Sequence, residues 1–349
     1  MVTSSESASD SGRDDPLARL LDRPRVRLAH LPTPILSARR LAADLGVEDI
    51  LVKMDAETGF ALGGNKVRKL EYELAPDRMR GVTCLVTAGG HQSNHCRVTA
   101  AFAARYGLRC VLVLNGDPPD PPTGNALLHR LFGAEIRSVP DRAARAAGLT
   151  DVAAEVGAAG GRALVVPLGA STGVGCLGYA RAAHELVGQL DALGPRPDRT
   201  LLFVPSSSGG TLAGLLLGLA LMGRDDVVPV AVSADAGAED LRRGAIAIAR
   251  EGADLLGAAS IPEPEHLHVV DTQVGEGYGI PTAASVEATE RFGRLAGIVL
   301  DPTYTAKAAA GMMAWIRDRG VGAAERIVFL HTGGHPALLA GGSPTPRTP

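Results

Sequence analysis

Four polar, glycine-marked segments carry side chains that can do chemistry. The first, residues 63–71 (GGNKVRKLE), sets Lys66 behind two glycines and directly after Asn65. Glycine lets the backbone take positive φ and approach a ligand closely. A lysine in that place is either a surface residue or a desolvated amine able to condense with a carbonyl. The second, residues 206–211, follows the apolar run Leu201–Val204 and sets Ser207, Gly209, Gly210 and Thr211 where a helix would open. Free amides and the helix dipole at such an end attract phosphate; a plain structural cap is the alternative. The segment is neither GxxxxGK[ST] nor GxGxxG, which argues against a nucleotide hydrolase or a dinucleotide site.

The third segment is residues 89–97, in which Ser93 and Asn94 would project from the first turn of a helix beginning near Gln92. Main-chain amides there suit a carboxylate and Ser93 suits a proton carrier, unless Ser93 only caps the helix. The fourth joins residues 277–279 to 301–307 and places Tyr278 and Tyr304, two of only five tyrosines, in glycine- or proline-marked turns. Buried tyrosines usually just satisfy a hydroxyl; here acid/base work has equal weight. Lysine usage adds a hint. Of 35 basic residues only Lys53, Lys66, Lys69 and Lys307 are lysines, and a lysine kept where arginine is the rule offers an amine that can lose its proton.

These segments need elements to position them. Short, largely apolar runs at Ile50–Lys53, Cys84–Thr87, Val111–Leu114, Glu135–Val139, Ala163–Val166, Leu201–Val204, Val228–Ser233, His268–Val270 and Ile327–Leu330 predict strands of a parallel sheet covered on both faces. Helical patterns lie between them, at 92–106, 126–132, 174–190, 210–221, 283–295 and 307–319. This alternation predicts βαβ units with right-handed crossovers. Several glycine clusters stand at the carboxyl ends of strands, where open α/β sheets bind ligands, so one crevice is expected. The length of 349 residues suits two domains.

Composition narrows the partners. A net charge of −3 gives no basic field for nucleic acid or a membrane surface. The longest apolar stretch, Leu212–Met222, is too short to span a bilayer. The N-terminal residues show no signal-peptide pattern, and both ends read as polar tails, 1–15 and 341–349. Cys84, Cys96, Cys110 and Cys176 lack metal-ligand spacing and fit reduced thiols, so a cytoplasmic protein without a metal site is expected.

Taken together, the order GGNKVRKLE, TAGGHQSNHCR, SSSGGTLAGL, GYGIP, LDPTYTAKAAAGM and HTGG resembles the fold-type II pyridoxal phosphate enzymes. Within them it is similar to the family of D-cysteine desulfhydrase and 1-aminocyclopropane-1-carboxylate (ACC) deaminase. The resemblance runs from about Leu31 to about Leu339. It implies an α/β fold of the tryptophan synthase β type, with mostly parallel twisted sheets and helices on both faces. The implied large domain is 16–68 plus 179–340 and the small one 69–178. A homodimer is implied as the family default, with pyridoxal 5′-phosphate as cofactor.

By the same resemblance, Lys66 matches the lysine joined to the cofactor aldehyde and Asn65 the neighbour of the ring hydroxyl. Ser207, Gly209, Gly210 and Thr211 match the phosphate loop, Ser93, Asn94 and His95 the segment receiving the substrate carboxylate, and Tyr278 and Tyr304 two active-site tyrosines. Thr305 matches the position facing the pyridine nitrogen, where the resembled ACC deaminases carry glutamate. A neutral hydroxyl there makes a shallower electron sink than a carboxylate, which favours β-elimination over ring opening. The implied reaction is α,β-elimination, with D-cysteine giving pyruvate, hydrosulfide and ammonia. The alternatives are ACC ring opening, loss of another leaving group such as the sulfonate of cysteate, and β-replacement. His91, Cys96, Thr172 and the pair His335-Pro336 depart from the pattern; His91 would lie on the substrate side and add a general acid, bind a second anionic group or be only a loop residue.

Overall fold

Short apolar strands bury both faces only when helices cover the sheet on each side, and that is how this chain folds. The computed structural model describes residues 15–259, 261, 267–322 and 325–340. The polar tails expected at 1–15 and 341–349 lie outside these residues, apart from Asp15. The chain begins with α1 (Pro16–Asp22), β1 (Ile35–Ser37), α2 (Arg39–Asp44), β2 (Ile50–Lys53) and α3 (Asn65–Glu73). It continues through β3 (Cys84–Gly90), α4 (Asn94–Tyr106), β4 (Arg109–Asn115), α5 (Gly124–Leu131), β5 (Glu135–Val139), α6 (Arg145–Ala158) and β6 (Ala163–Val165). Then follow α7 (Gly173–Ala192), β7 (Arg199–Ser206), α8 (Gly210–Leu221), β8 (Val227–Ser233), α9 (Ala238–Leu256) and β9 (His268–Val270). The last elements are α10 (Ala283–Ala296), α11 (Thr305–Arg319), β10 (Glu325–Leu330) and α12 (His335–Leu338).

Two sheets result. One has the order β1-β2-β10-β7-β8-β9 and the other β5-β4-β3-β6. All neighbouring pairs are parallel except β1 with β2. The last strand, β10, enters between β2 and β7, with Val328 opposite both Leu51 and Leu202. On one face of the larger sheet, Val52, Phe203, Val230 and Phe329 pack with Phe292 of α10 and Met312 of α11. On the other, Leu202, Val204 and Val328 pack with Leu186 of α7 and Leu215 of α8. The smaller sheet is covered by α4 on one side and α6 on the other, through Val98 and Phe102 and through Val152 and Val156. β1 was not among the expected strands: it is three residues long, follows a proline and sits at an edge, too short for a period-2 signal.

One contact between α3, β2 and α7 is ionic rather than apolar. The guanidinium of Arg68, 2 % exposed, donates to both oxygens of Asp55 at 2.8 Å and to Glu185 at 2.8 and 3.0 Å. Tyr179 of α7 also donates to Asp55, and Lys53 donates to Glu185 and to the Thr33 carbonyl. A buried charge without its partner is costly, so the network is tolerated only when complete. Arg68→Ala strands the Asp55 carboxylate, and equilibrium denaturation is expected to show a loss of about 3–5 kcal/mol. A loss under about 1 kcal/mol, the size of a surface pair, would show that Asp55 finds other partners.

Candidate active site

Lys66 is the second residue of α3. The turn before it is forced by Gly63 (φ +67°) and Gly64 (φ +106°); a Cβ on Gly63 would lie 2.0 Å from the Ala56 carbonyl oxygen. Three segments hold this turn. The Gly64 amide donates to Asp55 O, the Asn65 amide to Thr332 O beyond β10, and Arg97 Nη2 of α4 to Gly63 O at 2.7 Å. The lysine thus stands where both sheets meet, in a cleft of about 330 Å³ at the carboxyl ends of their strands. Loss of solvation lowers its amine from 10.5 to about 8; the buried Asp301 carboxylate opposes the shift and Arg97 adds to it.

The wall beyond β7 is the start of α8. Its N-cap is Gly209, in the left-handed region, and among the described residues no side chain caps it, which leaves the first amides of the helix open to a ligand. Ser207, Gly210 and Thr211 line the cleft beside it. Asn65 Nδ2 donates to Thr211 Oγ1 at 3.0 Å, which ties the lysine turn to this helix end. Gly169 (φ +66°) separates Lys66 from Ser208: a Cβ there would sit 3.8 Å from Lys66 Cε and 2.9 Å from Ser208 Oγ. The floor stays open because that residue has no side chain.

The third wall is the β3–α4 turn. The helix begins at Asn94, two residues later than expected, because Ser93 is its N-cap and accepts from the Cys96 amide at 3.2 Å. The cap uses a lone pair and leaves the hydroxyl proton free to point into the cleft that Ser93 lines, so the two readings of Ser93 are compatible. Asn94 turns its Oδ1 to Arg97 and Asn125, at 2.8 and 2.9 Å. His95 is 2 % exposed. Thr87 Oγ1 donates its proton to Val166 O at 2.7 Å and must therefore accept from His95 Nε2 at 2.9 Å. That assigns the Nε2–H tautomer and leaves Nδ1 a buried acceptor without a partner among the described residues. Burial, with Lys66 and Lys69 adding to it, keeps this imidazole well below its ordinary range and neutral.

Tyr278 and Tyr304 close the fourth side, and their hydroxyls are hydrogen-bonded to each other. Desolvation holds both phenols above their ordinary range, so they are proton donors near neutral pH. The Tyr278 loop is pinned by Lys307 of α11, 0 % exposed, whose ammonium donates to the carbonyls of Val274 and Gly277 at 2.7 and 2.9 Å. Every lysine of the chain thus has a structural or cleft position. Lys53 sits in the ionic network, Lys69 donates to Ser171 Oγ at 3.1 Å, and Ser171 in turn meets Ser208 Oγ at 2.7 Å.

Two expected site residues do not line the cleft. His91 is 9 % exposed and its Nε2 meets Gly116 O at 3.0 Å, turned toward the loop after β4. The Thr305 hydroxyl is consumed by its own turn: it accepts from the Asp301 amide and donates to Asp301 Oδ1, both at 2.7 Å. Of the residues that departed from the pattern, Thr172 caps α7 and hydrogen-bonds Glu73. Conversely, Arg142, Arg145, Asp235, Leu168, Gly169 and Ser208 line the cleft without having been singled out. Arg142 lies just beyond β5 and Asp235 just beyond β8, so the strand-end rule that drew attention to the glycine clusters covered them too; they lacked only the glycine signal.

A lysine amine of lowered basicity, set across a cleft from an uncapped helix end, is the arrangement of a pyridoxal phosphate enzyme. The chain matches the family of pyridoxal-phosphate dependent enzymes over residues 26–333 and belongs to it. It is 36 % identical over 332 residues to D-cysteine desulfhydrases of Salmonella typhi and Salmonella newport (strain SL254), covering 93 % of this chain and 98 % of each of those. Among solved structures, an ACC deaminase homologue has a TM-score of 0.84 at 33 % identity, covering 93 % of this chain and 96 % of that one. The processed form of threonine deaminase isoform 2 from Solanum lycopersicum shares the fold, with a TM-score of 0.65 at 17 % identity and coverage of 96 % and 92 %.

The residues present fit the cofactor. Lys66 offers an amine for its aldehyde, the α8 amides with Ser207 and Thr211 suit its phosphate, and Gly169 keeps open the space between them. Because the amine is lowered to about 8, the free base is available well below its ordinary range. Uptake of pyridoxal phosphate by the cofactor-free protein, followed by visible absorption, is expected to rise with pH through a midpoint near 8; a midpoint near 10.5 would mean a solvated lysine. Lys307→Met removes both loop bonds, and amide exchange across 274–279 is expected to accelerate about tenfold per bond lost while α11 stays protected. Unchanged exchange would show that the loop is held elsewhere.

Proposed function

We propose that this enzyme is a lyase that eliminates hydrosulfide from D-cysteine, with pyruvate and ammonia as the final products after water is taken up. The observation that carries the reading is the pairing, in one cleft, of the Lys66 amine with the proton-donating tyrosines. The relatives named D-cysteine desulfhydrase support the choice of substrate. The cofactor, when bound, supplies the electron sink that makes the Cα proton of an amino acid removable.

The rest is work for this chain. The α4 amides and the Ser93 hydroxyl receive the substrate carboxylate, as helix N-termini do. His95 Nδ1, a neutral acceptor, is available to a hydrogen-bond donor on the bound substrate. Lys66 Nζ takes the Cα proton, which a group of pKa about 8 does well near neutral pH. The Tyr278–Tyr304 pair delivers a proton to the departing sulfur, since both phenols stay protonated. Asn65, Ser207, Gly209, Gly210 and Thr211 position the cofactor. The Thr305 side chain contributes by buttressing Asp301, whose carboxylate accepts the amides of residues 303–305 and acts on Lys66. A cytoplasmic homodimer completes the proposal by family resemblance, and light scattering of the purified protein tests the dimer.

The deciding assay offers D-cysteine, L-cysteine and ACC separately and reads sulfide and 2-oxo acids. Sulfide with pyruvate from D-cysteine is expected. Release of 2-oxobutanoate from ACC without sulfide from either cysteine would overturn the reading. Lys66→Ala is expected to cut turnover at least about 10³-fold and Tyr278→Phe about 10²-fold, the range for loss of a positioned acid or base.

A further inference from the structure

The cleft holds two arginines that the steps above do not use. Arg142, in the loop after β5, and Arg145, the first residue of α6, both line it on the side of the tyrosines. Arg142 Cζ lies 4.6 Å from the centre of the Tyr278 ring, and its Nη1 meets Asp235 at 3.2 Å. Arg145 is half-buried and has no carboxylate partner among the described residues. Its Nε donates to Asn115 Oδ1 at 2.9 Å, and its Nη2 is hydrogen-bonded to the same oxygen. Nη1 is left without a partner among the described residues. An amide oxygen does not neutralise a guanidinium, which stays charged at neutral pH.

The neighbours make this placement costly. Burial and the like charge of Arg142 hold Arg145 below its ordinary range, and the nearest phenols, Tyr278 and Tyr304, are themselves neutral. Among the residues that line the cleft the side chains that can carry charge near neutral pH are Lys66, Arg142, Arg145 and Asp235, so cationic groups outnumber the single carboxylate, which is already paired with Arg142. A partly desolvated cation facing a ligand cleft is stabilised when the ligand brings an anion. The α-carboxylate is not that anion, because the α4 amides with Ser93 are reserved for it in the proposed reaction.

We propose that Arg142 and Arg145 form a subsite for a second anionic group, carried by the substrate at or beyond Cβ, so that beside D-cysteine the enzyme binds amino acids with an acidic side chain or leaving group more tightly than neutral ones such as serine and 2-aminobutyrate. The assignment rests on the lyase reading for which end of the substrate faces the tyrosines. A planar fork of N–H donors suits carboxylate, sulfonate or phosphate oxygens alike. For a sulfonate the step balances without an outside oxidant. The Cα proton goes to Lys66, the Cβ–S bond breaks with its electron pair on sulfur, and cysteate plus water gives pyruvate, ammonia and sulfite.

Competition against β-chloroalanine turnover by the holoenzyme tests this. The probes are cysteate, aspartate and O-phosphoserine against neutral serine and 2-aminobutyrate, each in both enantiomers. At least one acidic probe is expected to have an inhibition constant about tenfold below the neutral ones, the size of one charge-assisted hydrogen bond. Arg145→Gln is expected to erase that ratio and Arg145→Lys to restore part of it. Equal constants for acidic and neutral probes, or a ratio unmoved in Arg145→Gln, would overturn the subsite. Titration of the holoenzyme's visible absorption gives the same ranking without turnover. An enzyme inert toward every substrate but selective for acidic probes would therefore sink the lyase reading and keep the subsite.

Discussion

The structure depends on a buried cation that does no chemistry. Arg68 lies two residues beyond Lys66 on the same helix and is clamped by Asp55, two residues past β2, and Glu185 on α7. The helix cannot slide or turn without stranding charges in the interior, where an unpaired ion costs several kcal/mol. That constraint fixes where the Lys66 amine points. Arginine suits the task because its planar fork meets two carboxylates at once and cannot lose its proton. Lysine suits the neighbouring task for the opposite reason, since its amine does lose a proton when desolvated.

The cleft then follows from how the two sheets are joined. Strands of both sheets end at it, so each wall is a loop that opens a helix: α3 with Lys66, α4 with Ser93 and α8 with Gly209. Three helix N-termini converge on one space, which places unpartnered amides and positive dipole ends around it. Such a space selects a ligand with several negative groups. A phosphorylated cofactor and an amino-acid carboxylate account for two of them. Arg142 and Arg145, arriving from the β5–α6 loop, extend the same bias to the far end of the substrate.

Much of this was legible before folding. Most of the nine expected strands were visible as apolar runs because parallel strands buried on both faces carry no polar alternation to confuse the reading, the exposed edge strand β5 being the exception. Lys66, Ser93, Tyr278 and Tyr304 stood out because each sits in a turn whose glycine or proline marks a break in periodicity. Their convergence in one cleft could be expected only from the rule that ligands collect at strand ends. What escaped was whatever lacks a local pattern. Arg142 and Arg145 look like any other arginines in a chain rich in them. His91 and Thr305 were placed at the site by the resemblance and adjoin lining residues, yet a step of one position along a turn points each side chain away from the cleft.

The sequence by itself therefore determined nine strands, six of the helices and the βαβ architecture, because these are written in periodicity, while the chemical class of the site came from the resemblance its ordered motifs carry. Tertiary structure alone decided which side chains share the cleft and which are spent on support. Thr305 is spent on Asp301, His91 on Gly116 and Lys307 on the Tyr278 loop. The physical reason is that a hydrogen-bonding group has few valences, and only the folded chain shows which neighbour has already taken them. The pKa of Lys66 belongs to the same class, since desolvation is a property of the surroundings and not of the residue.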